Sequence, residues 1–122
     1  MPTSFRSDNK PVVSFDPRLE VSPFTLFRRL REGKAPLLID VRESPERKTL
    51  RGAVPMSGPD WRPLVDQQVV LIDDDGSRSV LLAGELQAEG FPNVRALFGG
   101  LALYEFSLDP EVVEADTFLI DL

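Results

Sequence analysis

Two short apolar runs limit what this chain can fold into. Leu37-Leu38-Ile39 ends in Asp40-Val41-Arg42-Glu43, and Val69-Val70-Leu71-Ile72 ends in Asp73-Asp74-Asp75. Neither run alternates polar with apolar residues, as a strand with one wet face would. Both therefore read as strands buried on two faces, the mark of a parallel sheet covered by helices. The intervening stretches have helical spacing. Ser22-Pro23 supplies a hydroxyl cap and a proline at the first helical position, and Phe24, Phe27 and Leu30 then recur at spacing three beside Leu26. Gly33 ends that helix. Ser79 to Gln87 carries Val80, Leu81, Ala83 and Leu86, and Gly90 closes it. Residues 93–98 give a third strand, and a last helix covers Leu101 to Phe106 after Gly99-Gly100. The pattern predicts an α/β fold with a mainly parallel central sheet flanked by helices.

A chain of 122 residues holds one domain and can bury a core without staples. Residues 1–18 are polar and read as an N-terminal arm, 19–107 as the domain and 108–122 as a C-terminal tail. The net charge of −6 argues against nucleic-acid binding and against anionic membrane surfaces, and is compatible with a basic protein partner. The cluster of Arg28, Arg29 and Arg31 reads as the solvated face of a helix. Cysteine and histidine are both absent. That removes thiolate nucleophiles, persulfides, Cys/His zinc sites and Ser-His-Asp triads. Residues 1–30 lack the apolar stretch of a signal peptide, and no run approaches a membrane span, so a cytoplasmic location is expected.

In parallel sheets, ligands bind beyond the carboxyl ends of the strands. Residues 40–43, residues 73–79 and Gly99-Gly100 each follow a strand candidate directly, so one rim gathers the candidate site.

Laid out this way, the chain resembles the rhodanese-like (sulfurtransferase) domain from about Val21 to Tyr104. The matching pieces are Leu38-Ile39-Asp40-Val41-Arg42 for the family's Asp-Val-Arg strand end, and Leu50-Arg51-Gly52-Ala53 for the close of its Gly-His-Ile-Pro-Gly-Ala stretch. Asp73-Asp74-Asp75-Gly76-Ser77-Arg78-Ser79 stands for its Cys-x-x-Gly-x-Arg-Ser loop. Gly90-Phe91 follows, then Gly99-Gly100 with Tyr104. In active members the loop cysteine carries a persulfide, stabilised by converging backbone amides. Here Asp73 takes its place, and Thr49 replaces the motif histidine. The resemblance thus implies the fold and argues against sulfur transfer.

A cradle of N–H dipoles prefers an anion, so Asp73 is expected to act as a built-in ligand. Asp74 and Asp75 are expected to face solvent and repel anions. Arg78 is expected to pair with one of them or with the loop backbone, and Gly76 to adopt a backbone angle that other residues resist. The family's helix between Met56 and Val69 is replaced by a proline-punctuated link, where Trp61 is either core or an exposed anchor. Arg42 either balances the aspartates or holds an anionic ligand.

Two further readings stay open. The apolar run followed by Asp-x-Asp-Gly-Ser also resembles the first motif of haloacid-dehalogenase-type phosphatases, which suggests a metal-dependent hydrolase using Asp73 and Asp75. Asp40 would then join the triplet in an acidic pocket. However, no lysine follows Ser79, as that family requires. Alternatively, the apolar end Phe118-Leu119-Ile120-Asp121-Leu122 either folds back on the domain or adds to a second chain in a homodimer. The leading expectation is a catalytically inactive rhodanese-like domain that binds a protein partner or regulates one. No metal and no cofactor is expected. Its rim would comprise Arg42, Asp73, Asp74, Asp75, Gly76, Ser77, Arg78, Ser79, Gly99 and Gly100.

Overall fold

In the computed structural model, residues 14–58 and 61–122 are described. The elements in chain order are β1 (Glu20–Val21), α1 (Pro23–Arg31), β2 (Leu37–Asp40), β3 (Lys48–Leu50), β4 (Val54–Pro55) and β5 (Val69–Ile72). There follow α2 (Ser77–Ala88), β6 (Val94–Leu97), α3 (Gly100–Ser107), α4 (Pro110–Val113) and β7 (Leu119–Asp121). The runs read as doubly buried strands, β2 and β5, are the sheet's centre, and every residue of β5 is buried. Five strands lie in the order β1-β6-β5-β2-β4, all paired in parallel. The two-residue strands β1 and β4 extend its edges, and nothing in their length or composition announces them.

Side chains alternate across the sheet. Leu38, Val70, Ile72 and Leu97 point to one core, with Leu26 and Phe27 of α1 and Leu101 and Tyr104 of α3. Ile39, Val69, Leu71 and Ala96 point to the other, with Ala83 and Leu86 of α2. Trp61 packs against this second core, and among the described residues no helix forms between β4 and β5. The Trp61 ring thus covers apolar surface of the second core.

Two apolar helix positions lie elsewhere than the spacing suggested. The inward residues of α1 are Pro23, Leu26 and Phe27, so Phe24 falls beside that stripe and is exposed. Leu81 is likewise exposed on α2. The Ser22 cap is as expected: its hydroxyl accepts from the Thr25 amide at 3.2 Å. Of the arm read over residues 1–18, residues 1–13 lie outside the described residues. Its last part turns at Asp16, whose carbonyl accepts from the Leu19 and Glu20 amides.

The C-terminal residues fold back. β7 pairs antiparallel with β3, with Leu50 opposite Leu119. The Tyr104 hydroxyl, fully buried, donates to the Thr117 carbonyl at 2.6 Å, and the Phe118 ring meets Phe27 edge-on at 6.3 Å. Burial above all, with help from nearby Asp116, drives the Tyr104 phenol far above its ordinary value, so it stays neutral and donating. Removing residues 117–122 would orphan this hydroxyl and expose the Phe27 edge. The expected loss is about 3–4 kcal/mol of stability, read by urea unfolding. No helix among the described residues is long and apolar enough to cross a membrane.

Candidate functional site

The carboxyl ends of β2 and β5 and the turn before α3 meet on one rim, as the strand order requires. Asp73 directly follows β5 and is 4% exposed. Its Oδ1 accepts from the Gly76 amide at 2.6 Å and the Ser79 hydroxyl at 3.0 Å. Its Oδ2 accepts from the amides of Arg78 and Ser79, both at 3.0 Å. Gly76 caps α2, so these amides belong to the cap and first turn of that helix, which have no partner within it. The helix dipole favours an anion at the same point. The Asp73 carboxylate thus accepts from three backbone amides and one hydroxyl.

A second helix secures the loop from behind. The Leu101 amide of α3 donates to the Asp73 carbonyl at 2.9 Å, and the Ala102 amide to the Asp74 carbonyl at 3.0 Å. This approach needs glycine at two places. Gly76 has φ of +86°, and a Cβ there would lie 2.9 Å from the Gly99 nitrogen. At Gly100, with φ of +64°, a Cβ would lie 2.5 Å from the Asp74 carbonyl carbon and the Asp75 nitrogen. Gly99-Gly100 is therefore a seat for the loop.

Arg42, 8% exposed, ties the remaining rim together. Its Nε and Nη2 grip Asp40 Oδ1 and Oδ2 at 3.0 and 2.7 Å. Nη1 reaches Asp74 Oδ1 at 3.0 Å and the Glu46 carbonyl at 3.1 Å, while Nη2 also meets the Lys48 carbonyl at 2.8 Å. Thr49, at the motif-histidine position, donates its hydroxyl to Asp40 Oδ2 at 2.9 Å. Burial pushes the Asp40 carboxyl up, but the Arg42 side chain, the Arg42 amide and Thr49 together outweigh it and hold the group below its ordinary range. Arg42 thus balances the aspartates, one of the two roles the sequence left open.

Two expectations change. Asp74 is exposed but does not simply face water, because it pairs with Arg42. The Arg78 guanidinium pairs with none of the aspartates and lies 3.9 Å from Glu43; only its amide joins the cradle. Asp75 does face outward. It accepts from the Ser77 hydroxyl at 2.6 Å and the Ser77 amide at 2.9 Å, which hold its carboxyl below the ordinary range. The sequence reading missed the backbone carbonyls that hold Arg42, since no side chain signals them.

This geometry disfavours the acidic metal pocket. Asp40 is committed to Arg42 and Thr49, and Asp73 to four donors. Among the described residues no three acidic side chains converge to hold an ion. Beside Arg42 lies a mixed-charge cleft of about 470 Å³, lined by Arg47, Lys48, Asp74, Leu101 and Glu105 among others.

The family model of the rhodanese-like domain matches residues 24–106. The chain belongs to this family. A rhodanese-related protein of Thermoplasma volcanium is similar in structure, with a TM-score of 0.56 at 19% identity; the match covers 73% of this chain and 92% of that one. Reduced CoADR-RHD of Bacillus anthracis is similar too, with a TM-score of 0.57 at 24% identity over 76% of this chain, but only 17% of that longer chain is matched. At these identities the likeness shows the fold alone. A comparison with curated proteins finds no match. The chain has no cysteine.

Proposed function

We propose that this rhodanese-like domain is catalytically inactive in sulfur transfer and serves as a protein-binding or regulatory module through its rim. One observation carries the reading. The cradle that would hold an anionic sulfur is already filled by the Asp73 carboxylate, through three backbone amides and the Ser79 hydroxyl. A bound anion would have to displace a covalently attached one. What remains accessible is a surface: Asp74, Asp75, Ser77 and Arg78 on the loop, beside the mixed-charge cleft. Charge complementarity across such a surface gives specificity for one partner.

The test is affinity capture from lysate of the source organism, comparing wild-type bait with a folded Asp74→Asn, Asp75→Asn variant. Asp73 stays untouched in both, since it holds the loop. A protein enriched by the wild type and lost with the variant supports recognition through the rim. Equal capture by both, or none by either, would count against it.

A further inference from the structure

A cavity of about 450 Å³ that Arg42 does not line borders the cradle loop. Its floor is apolar: Val80 of α2, Phe98 and Leu103 of α3. Phe15 stacks edge-on against Phe98 with centroids 5.5 Å apart, and remains 44% exposed. Asp75, Gly76 and Ser77 form one wall, so this groove and the cradle share a loop. The size suits an anchoring side chain with its neighbours.

Among the described residues, the charged side chains lining the groove are Glu20 and Asp75, both carboxylates, with no lysine or arginine beside them. Among the described residues neither forms an ion pair. Glu20 is fixed through its Oε1, which accepts from the Asp16 amide at 2.9 Å. Asp75 is fixed by Ser77. Two positioned carboxylates beside an apolar floor are complementary to an apolar side chain flanked by a cation.

The geometry points to a docking groove for a short peptide segment of a partner, in which a leucine- or phenylalanine-sized side chain sits on Val80, Phe98 and Leu103 and an adjacent lysine or arginine meets the exposed Asp75, while Glu20, only 7% exposed, adds its negative charge to the groove. This rests on the binding-module reading and names the partner chemistry. Such a segment would also touch the cradle loop, so the Asp73-stabilised loop conformation becomes part of the recognition surface.

Selection of a random-peptide display library on the full chain tests it, followed by anisotropy titration of an enriched peptide. Enriched peptides should share an apolar residue next to lysine or arginine and bind more weakly as salt rises. Leu103→Glu should weaken binding about 30-fold, the effect of losing a central anchor. Asp75→Asn, which keeps an acceptor for Ser77, should weaken it about 3-fold, as expected for one half-exposed charge pair. No enrichment, or enrichment of acidic peptides, would overturn the inference. So would concentration-dependent self-association abolished by Leu103→Glu, which would make a second copy of the chain the occupant. Peptides sensitive to Asp74→Asn but indifferent to Leu103→Glu would sink the groove while leaving recognition through the rim intact.

Discussion

Asp73→Ala is expected to destabilise the domain by about 3 kcal/mol. The substitution removes a buried, charge-assisted acceptor and strands the amides of Gly76, Arg78 and Ser79, while the Ser79 hydroxyl keeps only the Gly76 carbonyl at 3.3 Å. Each buried donor left unpaired costs roughly 1–3 kcal/mol, and water entering the vacated cradle recovers part of that. Asp73→Asn keeps one acceptor oxygen but turns an amino group toward donors, so a loss of about 2 kcal/mol is expected. Urea unfolding with unchanged m-values would read both. A loss below about 1 kcal/mol for Asp73→Ala would mean that the loop does not depend on its carboxylate.

Arg42→Ala is expected to cost more, about 3–5 kcal/mol, because it leaves Asp40 buried without its cation. It also frees the carbonyls of Glu46 and Lys48. The pH dependence gives this prediction a second signature. In the wild type the Asp40 carboxyl is held below its ordinary value near 3.8. A depressed carboxyl stabilises the fold fully above the unfolded value and loses that contribution as pH falls through the folded one. In the variant, burial acts on Asp40 without the guanidinium, and the carboxyl moves upward instead. The stability gap between the two proteins should therefore be widest near neutral pH and narrow below about pH 4. Urea unfolding at neutral pH and near pH 3.5 measures it; a pH-independent gap would show that the loss comes from packing alone.

The two largest effects fall on residues that the sequence made visible in different degrees. Asp73 stands out because Gly76, Arg78 and Ser79 follow at the spacing of the family loop, and an anion is the chemically sensible occupant of converging amides. Asp40 and Arg42 lie two apart at a strand end, a spacing that sets side chains on one side, so their pairing is readable in principle. The link from Arg42 to Asp74 is not. It spans thirty-two positions of sequence separation and depends on β2 and β5 being neighbours.

Non-local geometry explains the other gaps. β1 and β4 are two residues each and exist because β6 and β2 offer them edges. The pairing of β3 with β7 joins residues 48–50 to 119–121, so a tail that fit either folding back or joining another chain turns out to be built into its own domain. The exposure of Phe24 follows from where Ser22 and Pro23 set the first turn, one residue off the buried stripe.

Asp73 is read as an anion that the chain itself supplies to a cradle of converging amides. Sulfate titration of thermal unfolding tests it most directly, with wild type and Asp73→Ala compared at matched ionic strength. Sulfate stabilises most folded proteins by exclusion from their surface, so the wild type sets that background. An additional, saturable rise in Tm is expected for Asp73→Ala, as the ion enters the vacated cradle and restores its hydrogen bonds. Parallel shifts for the two proteins would contradict it.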